Sequence, residues 1–176
     1  MNENKKRLLL VWISAIISIS CLVQRQNADE SRWARENVEL FPFLSDSEVD
    51  SIVEDRTLRL FDVSHGNQIV FFSLDGRTFL WYPGQTTMIN GYWKVIKNRL
   101  LCLYYTDQIL PSTTEPNDDW NCFPLHLYKS NIQESASGNR YDLAWNGKTP
   151  FILLRYPETN FDLIKKEFSK KSFTIE

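Results

Sequence analysis

The chain has little of what most metal proteins and nucleotide enzymes need. Histidine occurs twice, at His65 and His126, and cysteine three times. Neither histidine has a second one at helical spacing, and no Cys-x-x-Cys occurs, which argues against the usual zinc sites. Gly-x-Ser-x-Gly, a Walker loop and Gly-x-Gly-x-x-Gly are all missing. Basic charge is not in excess. The formal net charge is −2, so the chain has no electrostatic reason to bind nucleic acid. It has no internal repeat and no low-complexity run. No cofactor is expected.

The first 23 residues are patterned. Residues 1–7, MNENKKR, carry Lys5, Lys6 and Arg7, and residues 8–23, LLLVWISAIISISCLV, carry no charge. A basic stretch followed by an apolar run is the layout of an export signal. A spanning helix needs roughly 20 apolar residues, and Ser14, Ser18 and Ser20 interrupt this run. Ser18-Ile19-Ser20-Cys21 resembles the bacterial lipobox, in which a cysteine after a small residue is acylated before the signal is removed. Ser18 departs from that pattern, where Leu is usual. Lipidation at Cys21, retention as a signal anchor in the inner membrane, and ordinary cleavage all remain open. The first implies a cell-envelope protein of a Gram-negative bacterium, lipid-anchored and facing the periplasm. Leu22 in place of Asp then points to the outer membrane.

Residues 24–43 read as a tether with a short helical segment, and 44–176 as one β domain. Without residues 1–20 the formal charge is about −4, and about 150 residues remain, the size of one domain. With Cys21 set aside for lipid, Cys102 and Cys122 form a pair, and export permits a disulfide. A loop of about 20 residues closed this way is stabilised by roughly 3 kcal/mol on the chain-entropy model.

Ser45 and Glu48 make a capping box, with Val49, Ile52 and Val53 on one face of the helix that follows. Beyond Arg56 the pattern changes to period two. Strands are expected near 57–63, 68–74, 77–83, 91–96, 99–106, 122–129, 139–145 and 151–156. Asp75-Gly76 and Asn146-Gly147 are expected to be two-residue hairpin turns. Asn160 is placed to cap a last helix over 161–168, with Phe161, Ile164 and Phe168 on one face. The fold class is mainly β: an antiparallel meander of six to eight strands, curled strongly or closed into a small barrel, with an N-terminal helix packed on it.

Four stretches, LSDSEVDSIVEDRTLRL (44–60), the aromatic strand closing on Asp75-Gly76, GYWKVIKNRLLCLYY (91–105) and WNCFPLHLY (120–128), resemble a family of small exported proteobacterial proteins of unknown function. The Gly-x-Trp-x-Val…Leu-Cys element is the sharpest. That family usually has Gly where Glu54 or Asp55 stands here. The resemblance implies a periplasmic β domain and brings no catalytic residues.

The candidates for chemistry are few. His65 lies in a turn composition, and His126 alternates with Cys122 and Pro124. Glu115, Asp118 and Asp119 cluster between the paired cysteines, where carboxylates could act on sugars or hold calcium. Phe79, Trp81, Trp93, Tyr104 and Tyr105 lie on adjacent strands; they are expected to pack as core, or some of them to line an apolar pocket where the sheet closes incompletely. Trp120 is a cover for the disulfide or a contact residue at an interface. The expected role is non-enzymatic: binding an envelope protein or a small apolar ligand, with the membrane met through the N-terminus. The alternatives are a hydrolase of envelope material using the loop carboxylates, and a purely structural domain.

Overall fold

A computed structural model describes residues 28–106, 108 and 115–172. The segment 1–23, with Cys21, lies outside the described residues. Helix α1 covers 28–36 and is followed by a 3-10 turn, Val38–Leu40. Both fall within 24–43, where a tether with a short helical segment is expected. Helix α2 is Asp46–Val53. Then come β1 (Arg56–Asp62), β2 (Gly66–Phe72), β3 (Arg77–Trp81), β4 (Ile89–Ile96), β5 (Leu100–Tyr105) and β6 (Asn121–Pro124). Helix α3 (Leu125–Ser130), β7 (Ile132–Ser137) and helix α4 (Phe161–Ser172) complete the set.

The seven strands form one antiparallel sheet in the order β6-β5-β4-β3-β2-β1-β7. Its curl follows from the connection between the two edges. A flat sheet of seven strands would hold its outer strands about 29 Å apart. Yet β6 runs through α3 into β7, and a helix of six residues spans only about 9 Å. The sheet therefore bends into a half-barrel with α3 standing in its gap. The register breaks between β1 and β7 at Arg59/Leu60, an irregularity that adds local bend.

Local chemistry sets the elements. The Ser45 hydroxyl accepts from the Glu48 amide at 3.4 Å, and the Glu48 carboxylate accepts from the Ser45 amide at 3.0 Å. After α2, Asp55 takes φ 49°, a left-handed conformation that favours Gly or a short polar residue. In the β2–β3 hairpin only Gly76 has positive φ, 81°, and the Ser73 amide donates to the Arg77 carbonyl. This loop is one residue longer than the two-residue turn expected at Asp75-Gly76. The two-residue turn with positive φ at both positions is Lys97-Asn98, between β4 and β5.

Inward-facing side chains form one core with α2. Leu44, Val49, Ile52 and Val53 pack with Leu58, Val70, Phe72, Leu101 and Leu103. The outer face is covered twice. Ile69, Phe71, Phe79 and Trp81 lie beneath Tyr141, Leu143, Leu153, Phe161 and Ile164. Tyr92, Leu100, Cys102 and Cys122 pack with Ala34, Val38 and Trp120. The buried Arg59 guanidinium meets Glu134 of β7 at 2.5 Å and Glu158 at 3.1 Å, so one cation on β1 ties together the neighbouring strand and the C-terminal segment.

Three expected strands are corrected. Residues 122–129 start as β6 but turn at Pro124 into α3. Residues 139–145 are irregular. Asn139 exchanges side-chain hydrogen bonds with the Leu143 amide and carbonyl, both 2.8 Å, in place of a ladder. Asp142 and Asn146 have positive φ, so Asn146-Gly147 turns the chain without joining two strands. Residues 151–156 are a strap over the outer face. The seventh strand, β7, has the sequence IQESAS and is recruited by its ladder with β1 rather than by its own propensity. Helix α4 begins as expected, with the Asn160 side chain accepting from the Leu163 amide at 2.9 Å.

Candidate ligand cavity

The inward face is filled unevenly. At one end α2 plugs the half-barrel. At the other end the C-termini of β1, β3 and β5 and the start of β2 surround a cavity of about 460 Å³. Its walls are Leu60, Val70, Leu80, Leu103, Phe123 and Leu127, with Phe61 and Pro124 at the edge. Helix α3 contributes Leu127 and Tyr128, so the segment that closes the gap in the sheet also closes the cavity. The volume falls in the range of sites for small molecules, about 300–1,000 Å³.

Polar groups stand in two places. At the mouth are Asp62, His65, Gln68, Tyr82 and Asn131. Asp62 is tied into the β1–β2 turn. Its carboxylate accepts from the Ser64 hydroxyl at 2.6 Å and the His65 amide at 2.7 Å, and meets His65 Nδ1 at 3.0 Å. Burial raises the Asp62 pKa, but these hydrogen bonds outweigh it and bring it down to about 2. The His65 ring also lies edge-on to Tyr82, 6.3 Å between centroids. Ser64 and Asp62 both meet His65 at Nδ1, so the three do not form a nucleophile–base–acid relay.

Inside are Tyr105 and Tyr128. The Tyr128 ring packs edge-on to Phe72, 6.2 Å between centroids. Burial pushes both hydroxyls above the usual phenol value, and charge on Tyr105 would raise Tyr128 further. Both are therefore neutral donors at any physiological pH. Gly91 allows this geometry: a Cβ there would lie 2.5 Å from the Tyr104 carbonyl oxygen and 2.8 Å from the Tyr105 ring.

The aromatics named from sequence do not share this cavity. Phe79 and Trp81 face outward, and the Trp81 indole donates to the Phe151 carbonyl at 3.0 Å. Trp93 faces inward near the plug, edge-on to Phe72 and donating to the Ser73 carbonyl. Tyr104 faces outward and stacks on Trp120 at 5.7 Å. Tyr105 is the one of the five that lines the cavity. Cys102 and Cys122 sit directly opposite each other in β5 and β6 and are bonded, with S–S 2.10 Å. Trp120 is buried in the cluster that contains both cysteines.

The loop carboxylates are engaged elsewhere. Asp118 accepts from Arg32 Nε at 3.1 Å and Arg35 Nη2 at 2.7 Å, and Arg32, with Arg35, holds its carboxyl below the usual range. Glu115 meets Lys94 at 2.9 Å. His126 is on α3 with Nδ1 buried and without a hydrogen-bond partner among the described residues. No hydrogen bond among the described residues joins it to Asp118 or Asp119. No group of three or more His, Cys, Asp or Glu among them is placed to hold a metal. No helix among them is long and apolar enough to cross a membrane.

The signal for the cavity was present in the parity of four strands. Leu58 and Leu60, Val70 and Phe72, Leu80 and Tyr82, and Leu101, Leu103 and Tyr105 all point inward. What hid the cavity was α3, whose alternating sequence resembles a strand. Searches against protein-family models, curated proteins and solved structures find no match to this chain.

Proposed function

We propose that this protein takes up a small apolar ligand at the open end of its half-barrel, working in the cell envelope and anchored through Cys21. The carrying observation is the cavity itself: a concave, mostly apolar space with a few polar groups at its mouth. The basic-then-apolar N-terminus and the Ser-Ile-Ser-Cys boundary support the envelope location, and the bonded Cys102 and Cys122 are compatible with an oxidising compartment. Labelling with palmitate tests the anchor: wild type takes up label and Cys21→Ser does not, whereas an unlabelled wild type removes it.

The binding test uses N-phenyl-1-naphthylamine, whose fluorescence rises in apolar sites. Wild type is expected to bind it saturably. Leu60→Trp, which puts an indole into the cavity from a half-buried wall position, is expected to lower affinity at least about tenfold. Thermal stability should change little, because the indole fills existing space. Equal binding by both proteins would remove the cavity as the site.

A further inference from the structure

The cavity holds two polar groups that a purely apolar ligand would leave unanswered. Tyr105 and Tyr128 both line the cavity, their hydroxyls make no hydrogen bond among the described residues, and neither oxygen is fully buried. An apolar ligand filling the cavity would exclude water from both hydroxyls and leave two donors without partners, which is costly. An acceptor on a bound ligand supplies one. The chemistry of that acceptor follows from the charges around it. Among the described residues no Lys or Arg lines the cavity, and the one carboxylate that does, Asp62, sits at the mouth. An anionic headgroup drawn inside would be desolvated with no cation to pair it. A neutral oxygen asks only for the hydrogen bonds that two phenols can donate.

We propose that the cavity selects uncharged apolar molecules carrying a carbonyl oxygen, as in an alkyl ester or ketone, and binds that oxygen through the Tyr105 and Tyr128 hydroxyls. The walls hold the hydrocarbon part. Carboxylate soaps of the same length are discriminated against, because their charge has no partner inside. The mouth groups, His65, Gln68 and Asn131, remain outside the acceptor site and face the entering end of the ligand. This inference rests on the reading of the cavity as a binding site and specifies which molecules it takes.

The test is displacement of N-phenyl-1-naphthylamine, which has no oxygen, by methyl decanoate and by decanoate at pH 8. Methyl decanoate is expected to displace the probe from wild type, and decanoate to do so at least about tenfold more weakly. In the double variant Tyr105→Phe, Tyr128→Phe the ester, with its displacement corrected for that variant's own probe affinity, is expected to weaken about tenfold. Each single variant should weaken it by about threefold. The singles also serve if the double variant folds poorly. If the probe binds but ester and acid compete equally, or the Phe variants keep full ester affinity, the acceptor inference falls and the cavity reading stands. If the probe does not bind wild type at all, both fall.

Discussion

The two ends of the half-barrel share the same strands and the same inward parity, yet one is solid and the other hollow. At the plugged end α2 delivers Val49, Ile52 and Val53 onto Phe72 and Leu101. The β4–β5 turn locks it there: the Leu44 amide donates to the Asn98 carbonyl, and the Asn98 side chain donates to Asp46 at 2.6 Å. At the open end the wall is a short helix laid across the gap between sheet edges, and Leu127 on it is about half exposed. The difference separates the end that holds the fold from the end where the proposed ligand would sit. A filled end pins the curl of the sheet, and that frees the other end to stay open.

The largest expected effect breaks the plug. Ile52 is 1% exposed, and Ile52→Ala should cost about 3 kcal/mol of unfolding free energy, the usual range for a truncated core Ile. Urea denaturation measures it. A loss under about 1 kcal/mol would show that α2 is not what holds the half-barrel.

A smaller effect sharpens the tie between the ends. Lys129 of α3 meets Glu48 of α2 at 2.9 Å. This contact, with hydrogen bonds from the Ser45 amide and hydroxyl, lowers the Glu48 pKa from 4.5 to about 2. A depressed carboxylate stabilises the fold above its unfolded value, and that contribution is lost as pH falls through the folded value. The stability gap between wild type and Glu48→Gln should therefore be full above about pH 4.5 and close toward pH 2. A gap that stays constant over that span would contradict the assignment.

The smallest effect on stability is at the hollow end. Leu127→Ala should change unfolding free energy by no more than about 0.5 kcal/mol, while weakening N-phenyl-1-naphthylamine measurably. Equal losses at Leu127 and Ile52 would erase the contrast between the ends.

The plug was legible in the sequence and the cavity was not, for a physical reason. Ser45 and Glu48 announce a helix by chemistry local to four residues, and Val49, Ile52 and Val53 fix its buried face. The five strands from 57 to 106 were legible from period two, each within about two residues of β1 to β5. The cavity depends on a long-range event, the closure of the sheet by residues 125–130. Leu125, Leu127 and the intervening His126 alternate like a strand, and no cap marks the helix, since Pro124 at its head makes no side-chain hydrogen bond. Strand β7 escaped notice because Gln133, Glu134 and Ser135 give no β signal, and only pairing with β1 makes them extended. The aromatics drew attention by size, but Phe79, Trp81 and Tyr104 have outward parity and serve the covering layers. Tyr128 was unrecognised because its place inside the half-barrel exists only once α3 forms.

The most direct test of the hollow end is to locate a bound molecule. Nuclear Overhauser contacts from N-phenyl-1-naphthylamine protons to methyl groups report this without assuming a pose. The account predicts contacts to Leu60, Leu80, Leu103 and Leu127, and none to Val49, Ile52 or Val53. Contacts confined to the exposed Ile152, Leu154 and Leu163 on the outer strap, or to the plug, would contradict it.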